Sequence, residues 1–264
     1  MMEIPEFLYK YMFVNPEIKK LDPDYYKNLF IKKEIYFPTL KELNDPYDCH
    51  PSFSIDNCSD EYLNRVFLKR NRKNFSRHAF RRLESTVNHD KQYARRVMSE
   101  NIKHFERNGM KNRVLSLSAT PTSTAMWAHY SNNYKGFCLK FSTRCFGNYK
   151  DVFRRIVYSK LRPILTPQDL ENPESPVVPD SAFIKSEEWA YEQEWRVFTS
   201  VKLFPNNKIG FPDGFLCGMI FGINMQPDEK ELILRWVSES TYKNIEINKI
   251  SLCPKSFDLI VIKN

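Results

Sequence analysis

Glycine is scarce in this sequence, since only 7 of the 264 residues are glycine. The chain contains neither G-x-G-x-x-G nor G-x-x-x-x-G-K-[ST], the motifs in which glycines let a backbone approach phosphate groups closely. A glycine-lined phosphate cradle is therefore excluded. The metalloprotease motif H-E-x-x-H and the hydrolase motif G-x-S-x-G are absent too, which excludes these two catalytic classes.

The features of a secreted or membrane-spanning protein are also missing. The six cysteines form no C-x-x-C pair and fit no zinc-site spacing, which predicts reduced, mostly buried thiols. No apolar run approaches the roughly 18 residues that a spanning helix needs. The acidic N-terminus has no hydrophobic signal region. We therefore expect a cytoplasmic protein without membrane contact and, from the scattered histidines, no metal site.

Positive charge is concentrated in one part of the chain. Residues 60–113 hold fifteen Lys and Arg against six Asp and Glu, whereas the remainder is close to neutral. The segment has no proline and a single glycine, Gly109, and its apolar residues recur at helical spacing. We predict two or three helices, inserted between strands, whose apolar stripes are too thin to close a core of their own.

A local excess of charge suggests an anionic partner. RNA or DNA is the first candidate, because each phosphate contact releases counterions and adds affinity. Arg81, Arg82, Arg95 and Arg96 are the candidate contacts. Two alternatives remain open at this point: the helices could present a solvated face, or they could dock onto an acidic inhibitor protein.

Three other segments combine polar and aromatic side chains in a way that a plain core does not require. In the first predicted strand, alternation places Tyr9 and Tyr11 on one face and Lys10 on the other. The simpler interpretation is that these tyrosines pack within a sheet.

The second segment joins a predicted strand to a predicted helix. Ser116 and Ser118 share a strand face, where both hydroxyls could hydrogen-bond a ligand. Trp127 and Tyr130 lie three apart on the following helix, so their rings could hold a flat heteroaromatic group. His129 is equally well explained as a surface or capping histidine.

The third segment, W-A-Y-E-Q-E-W-R at residues 189–196, pairs two carboxylates. In a strand, Glu192, Glu194 and Arg196 would point the same way, and two like charges on one face need a cation or a substrate hydroxyl between them. A surface salt bridge from Glu194 to Arg196 or Lys185 is the structural alternative. The flanking tryptophans, however, predict partial burial.

In this order the three segments resemble the ADP-ribosyltransferase superfamily. They are most similar to a divergent bacterial branch with L-Y-K-Y, a serine strand followed by M-W-x-H-Y, and Y-E-x-E-W-R. Strands predicted early and late in the chain, with helices between them, indicate the α+β class. The resemblance spans Leu8 to Arg196 and implies a split, mostly antiparallel β core that binds NAD in a cleft. It also implies a single domain over residues 1–264, in which the basic segment is a helical insertion at about 60–113.

Roles for individual residues follow from the resemblance. Glu194 matches the catalytic glutamate, and Glu192 matches the acidic position that positions or activates the acceptor. Ser116 and Ser118 occupy the central serine strand beside the nicotinamide.

The remaining candidate residues match the family pattern less closely. Trp127 or Tyr130 would flank the nicotinamide. The first motif departs from the family pattern, because Tyr9, Lys10 and Tyr11 stand where members have the Arg or His that anchors NAD.

The implied function is ADP-ribosyl transfer with NAD as substrate and nucleic acid as a possible acceptor. Such an activity would harm the producing cell, which suggests a regulated toxin or phage-defence factor with an acidic antitoxin. The alternatives are a non-catalytic nucleic-acid-binding module, an NAD glycohydrolase, and a metal-dependent nuclease using Glu192 and Glu194. We expect Glu194→Gln to abolish nicotinamide release and to leave the fold intact.

Overall fold

The computed structural model describes residues 3–109, 112–145, 153–167, 180–199, 206–242 and 245–264. Its α-helices are α1 (Pro16–Leu21), α2 (Tyr25–Ile31), α3 (Asp60–Asn71), α4 (Arg77–His89), α5 (Tyr93–Gly109), α6 (Thr124–Tyr130) and α7 (Pro227–Glu239). Its strands are β1 (Phe7–Met12), β2 (Glu34–Tyr36), β3 (Ser52–Phe53), β4 (Arg113–Ser118), β5 (Phe137–Ser142), β6 (Phe153–Arg155), β7 (Val157–Ser159), β8 (Ile164–Leu165), β9 (Ile184–Ser186), β10 (Glu194–Thr199), β11 (Lys208–Gly210), β12 (Leu216–Phe221), β13 (Glu246–Leu252) and β14 (Leu259–Lys263).

The predicted α+β class is confirmed. Eight strands form the main sheet in the order β14-β13-β12-β5-β1-β4-β10-β6. Neighbouring strands run antiparallel except β12 and β13, which are parallel. The sheet is therefore mostly antiparallel, as predicted, while its assignment to the ADP-ribosyltransferase type stays a prediction.

The centre of this sheet is nearly divided. β1 pairs with β5 along its whole length, and β4 does the same with β10. Between β1 and β4, however, the described residues pair at one position, Tyr9 opposite Ser118. The sheet therefore consists of two halves that are joined at a single residue pair.

The two faces of the sheet carry different side chains. Leu8, Leu117 and Trp195 pack on one face in a cluster that includes Trp236 of α7. On the other face, Tyr11 packs with residues of α6. We call these the α7 face and the α6 face. Because strand neighbours alternate between faces, every second residue of β1, β4 and β10 points toward α6.

Helix α6 begins with a serine cap. Ser123 precedes it, and its hydroxyl accepts a hydrogen bond from the backbone N–H of Met126, 3.3 Å away. Ser116 and Ser118 lie on β4, in agreement with the strand predicted for them. None of the helices within the described ranges is long and apolar enough to span a membrane.

The chain divides into two compact units. The first comprises Met1–Pro38, Arg113–Ile156 and Glu188–Asn264, and it contains the eight-stranded sheet. The second comprises Thr39–Asn112 and Val157–Glu187 and contains α3, α4 and α5. The prediction of one domain with an insertion stays a prediction; residues 110 and 111 of that insertion lie outside the described residues.

The basic helices pack around one hydrophobic core, which residues from outside 60–113 help to close. Leu63 of α3, Val87 of α4 and Met98 of α5 are buried in one hydrophobic cluster, which Ile55 from the preceding segment completes. Each helix contributes a narrow row of apolar side chains, as its sequence indicates, and the three rows pack against one another. The periodicity of a single helix does not reveal which other helices its apolar side chains contact.

Candidate active site

One residue from each of the three segments lies in a row across the sheet. Tyr9 of β1 lies opposite Ser118 of β4, which in turn lies opposite Glu194 of β10. Residues opposite one another in antiparallel strands share a face, so all three side chains belong to the α6 face. The row crosses the position where the two halves of the sheet are joined.

Glu192 does not lie on a strand, so the shared face considered for Glu192, Glu194 and Arg196 does not include it. It ends a 3₁₀ helix that runs from Glu187 to Glu192. Gln193, the next residue, has φ of 47°, in the left-handed region that residues other than glycine enter infrequently. The backbone turns at Gln193, so the alternation that would align Glu192 with Glu194 begins only after it.

The hydroxyl of Ser118 holds this turn in place. Its Oγ donates to the carbonyl oxygen of Glu192 at 2.7 Å and accepts from the backbone N–H of Thr120 at 3.2 Å. The N–H of Ala119 adds a bond to the carbonyl of Gln193 at 3.0 Å. Ser118 was predicted to bind a ligand; in the structure it is buried and fixes the backbone between the two glutamates.

The side chain of Glu192 is bound by helix α6. The phenol of Tyr130 donates to Glu192 Oε1 at 2.6 Å, a length typical of a hydrogen bond to a charged acceptor. One residue earlier on each segment, His129 Nδ1 lies 2.9 Å from the hydroxyl of Tyr191. The predicted motifs M-W-x-H-Y and Y-E-x-E-W-R are therefore brought together by two adjacent contacts.

Glu194 and Arg196 form an ion pair inside the protein. Nε of Arg196 lies 2.6 Å from Oε1 of Glu194, and Nη2 lies 2.9 Å from Oε2. Glu194 is 3% exposed and Arg196 is fully buried. The salt bridge considered as an alternative is present, but it is buried and bidentate, not at the surface. Such a pair orients its carboxylate strongly.

Trp127 is placed differently from the prediction. Its ring is fully buried, 5.3 Å edge-to-face from Tyr11 and stacked on Tyr134 at 6.3 Å. Its Nε1 donates to the carbonyl of Pro121 at 2.8 Å. The ring has no exposed surface on which a ligand could stack. Trp127 supports α6 from beneath, and Tyr130, which is half-buried, is the aromatic side chain of this pair that remains accessible.

Tyr9 and Tyr11 point to the α6 face, as alternation predicts. The hydroxyl of Tyr11 donates to the carbonyl of Thr120 at 2.8 Å, which ties β1 to the end of β4. Tyr9 is half-buried, and burial raises its pKa to about 12, so the phenol remains protonated at neutral pH.

Lys10 lies on the opposite face from Glu194. Its Nζ comes within 3.5 Å of the carbonyl oxygen of Ser116, next to the position where β1 and β4 stop pairing. Burial lowers the pKa of this amine to about 8, against the opposing attraction of Glu194. Lys10 therefore contacts the backbone at the division of the sheet, on the face opposite Tyr9 and Tyr11 as alternation predicts; its predicted role in binding NAD stays a prediction.

A second cross-strand row follows the first. Ser116 lies opposite Arg196, which lies opposite Arg154 of β6. Arg154 is exposed and lies opposite Arg196, which is buried in its ion pair with Glu194. Sequence analysis did not single it out, because β6 is short and its pairing with β10 is not encoded locally.

Carboxylates accept hydrogen bonds from ribose hydroxyls, which is the kind of group that NAD would need here. In the structure both oxygens of Glu194 are bound by Arg196, and Glu192 accepts from Tyr130. The predicted aromatic sandwich does not fit, since Trp127 is buried. Of the two aromatic side chains, only Tyr130 is accessible to a nicotinamide ring. Among the described residues, no group of three His, Cys, Asp or Glu side chains is arranged to hold a metal ion.

The four candidate arginines of the second unit separate into two pairs. Arg95 is paired with Asp60 at 2.6 Å and donates to the carbonyl of Ile55 at 2.9 Å, so it holds α5 to the start of α3. Arg96 is paired with Asp90. Arg81 and Arg82 are exposed on α4. The first pair has a structural explanation, and the second does not.

Comparison with known proteins adds one finding. Residues 126–197 are similar to a family described as "Protein of unknown function (DUF2971)". This range covers about a quarter of the chain. It begins at Met126 and ends just after Arg196, so it contains M-W-x-H-Y and Y-E-x-E-W-R but not the serine strand of the second segment. No curated protein and no solved structure matches the chain.

Proposed function

We propose that the first unit catalyses NAD-dependent ADP-ribosyl transfer. The supporting observation is the row of Tyr9, Ser118 and Glu194 across the joint between the two sheet halves. Each of the three motifs contributes one residue to this row. An arrangement that collects separate motifs at an interruption of regular structure is where a binding cleft is expected.

The chemistry requires a carboxylate in a fixed position. When the bond between nicotinamide and ribose breaks, nicotinamide leaves with the bonding electron pair, and positive charge develops on the ribose. Glu194, held by Arg196, stabilises that charge electrostatically. Glu192 accepts the proton of the acceptor as its oxygen or nitrogen bonds to the ribose carbon. Tyr130 orients the Glu192 carboxylate through its hydrogen bond.

The proposed acceptor and the proposed biological role rest on the positive charge of the second unit. Exposed arginines on α4 favour RNA or DNA as the acceptor. We place the protein in the cytoplasm, as a bacterial toxin or phage-defence factor restrained by an acidic antitoxin. This part of the proposal follows from the hazard of uncontrolled NAD consumption and from the charge of the chain.

A second candidate has its own observation. Both oxygens of Glu194 are engaged by Arg196 inside the protein, which is what a purely structural ion pair would show. This favours a nucleic-acid-binding protein without catalysis, in which Y-E-x-E-W-R completes a core. One set of variants separates the two functions.

The test compares Glu194→Gln with the double variant Glu194→Gln/Arg196→Gln. Removing one partner of a buried pair costs about 3–5 kcal/mol, because the other charge stays buried. The earlier expectation that Glu194→Gln leaves the fold intact is therefore replaced by an expected loss of stability. The double variant removes both charges and should recover most of the loss in urea unfolding.

Nicotinamide release from labelled NAD gives the decisive measurement, with RNA, DNA and protein fractions supplied separately as acceptors. Wild-type protein should release nicotinamide, and both variants should be slower by about 10²–10³-fold, typical for loss of a transition-state charge. Full release by a stably folded double variant would reduce Glu194 to a structural role. Release by wild type without label on any fraction would indicate hydrolysis by water.

A further inference from the structure

The turn between α3 and α4 carries an unusual concentration of positive charge. From Tyr62 to Leu83 the sequence has eight Lys and Arg and no Asp or Glu. We call residues 69–82 the basic corner. Its exposed basic side chains are Lys69, Arg72, Lys73, Arg77, Arg81 and Arg82. Among the described residues, none of these six takes part in an ion pair.

Helix electrostatics explain only half of this charge. α3 begins with Asp60 and Glu61 and ends with Lys69 and Arg70, an arrangement that stabilises the helix dipole at both ends. α4 does the reverse: its first turn has no acidic residue and begins with Arg77. Basic residues near a helix N-terminus weaken the helix, so the fold gains nothing from them there.

Other helices show how the chain compensates such charges. α5 also begins near arginines, but Arg95 pairs with Asp60 and Arg96 pairs with Asp90. Lys27 in the first turn of α2 pairs with Glu239. The start of α4 has no such acid. The charges of these basic residues, which are close in sequence, are therefore not balanced by an acidic residue in the first turn of α4.

The basic corner also contains an exposed aromatic side chain. Phe75 lies between α3 and α4 and is 45% exposed, whereas Phe80 on α4 is half-buried. One exposed apolar side chain is ordinary by itself. Phe75 lies two residues from the exposed Lys73 and two from the exposed Arg77, so its ring offers a stacking surface next to side chains that can bind a phosphate backbone.

We propose that the basic corner binds single-stranded nucleic acid, with its lysines and arginines contacting phosphates and Phe75 stacking on an unpaired base. Charge complementarity identifies a polyanion, and the exposed ring identifies a strand whose bases are not already stacked in a duplex. This deepens the proposed function by naming the class of acceptor, and it rests on that function for the transfer step alone.

Binding is measured without NAD, so the result does not depend on catalysis. Fluorescence anisotropy compares labelled RNA and DNA single strands of about 20 nucleotides with the DNA duplex, at about 50 mM and about 200 mM salt. The variants are Arg77→Gln/Arg81→Gln/Arg82→Gln and Phe75→Ala. The matched control is Lys249→Gln/Lys255→Gln/Lys263→Gln, which removes three exposed charges from the hairpin of β13 and β14.

The triple arginine variant should lose at least roughly tenfold in affinity for single strands and show a shallower salt dependence. It should also unfold at higher temperature than wild type, because unfavourable charge at the start of α4 is removed. Phe75→Ala should weaken binding to single strands roughly tenfold and binding to duplex hardly at all. The control should bind like wild type. The RNA and DNA arms identify which strand is preferred.

Three results would overturn the proposal: no binding by wild type, equal losses in the control and the arginine variant, or duplex binding as tight as single-strand binding with Phe75→Ala unaffected. The proposal would also be overturned if, in a competition assay, wild type bound an acidic protein more tightly than it bound the single strands. Failure of the proposed function has a separate signature. Wild type would then release no nicotinamide, while binding through the basic corner would persist.

Discussion

Lys10 shows how a single side chain reflects the division of the sheet. Where β1 stops pairing with β4, backbone carbonyls lose their strand partners, and an unpaired buried carbonyl is costly. The Lys10 amine approaches the carbonyl of Ser116 at that position. The resemblance drawn from the sequence would place a cation on this strand to contact a ligand. Here the cation points to the other face, where it supports the backbone.

The shifted pKa of Lys10 predicts a specific pH dependence of stability. Burial lowers the pKa from an ordinary value of 10.5 to about 8 in the folded protein. Between those values the unfolded chain holds a proton that the folded protein has released, so the free energy of unfolding rises with pH. Below pH 8 both states are protonated, and the penalty for burying the charge is fully present.

The comparison is urea unfolding of wild type and Lys10→Met at about pH 7.5 and about pH 9.5. Wild type should gain about 1–3 kcal/mol relative to the variant over this range. Tyr9 interferes little, because its pKa of about 12 lies above the range. Equal changes in both proteins would show that the amine titrates normally.

At the scale of elements, the packing of strands depends on glycines that sequence patterns do not mark. Gly222 follows β12, and a Cβ added there would lie 2.1 Å from the carbonyl oxygen of Tyr134. That oxygen also accepts a hydrogen bond from the N–H of Asn224, 3.0 Å away. Because the obstacle is backbone, it cannot move aside as a flexible side chain would.

Gly222→Ala should therefore lower the free energy of unfolding by about 3 kcal/mol, the upper range for overpacking. Gly210 in β11 is the control, since its added Cβ would approach no atom more closely than 4.0 Å. Gly210→Ala should change stability by less than about 1 kcal/mol. Urea unfolding of both variants measures the difference; similar values would mean that the loop after β12 relaxes freely.

The helices and strands were largely predictable from the sequence, whereas the contacts between residues far apart in the chain were not. Alternation in β4 and β10 is a local property, and so is the serine cap of α6. The contact between Tyr130 and Glu192 joins residues 62 apart, and no periodicity encodes it. The turn at Gln193 was missed for another reason: glutamine is not a residue that favours the left-handed region, so surrounding contacts must impose that conformation.

At the scale of the whole molecule, the two units carry different spectroscopic probes. All four tryptophans, Trp127, Trp189, Trp195 and Trp236, belong to the first unit. The second unit holds the larger share of the described α-helical residues, in α3, α4 and α5. Tryptophan fluorescence therefore reports the first unit, and far-ultraviolet circular dichroism weights the second.

The separate hydrophobic clusters predict that core substitutions act locally. Leu63 and Leu139 are both fully buried, the former in the helical cluster and the latter in the sheet cluster. Each leucine-to-alanine change should cost about 2–5 kcal/mol. Leu63→Ala should lower the urea midpoint seen by circular dichroism more than that seen by fluorescence, and Leu139→Ala should lower the fluorescence midpoint more. Coincident midpoints in both variants would show that the two units unfold as one cooperative body.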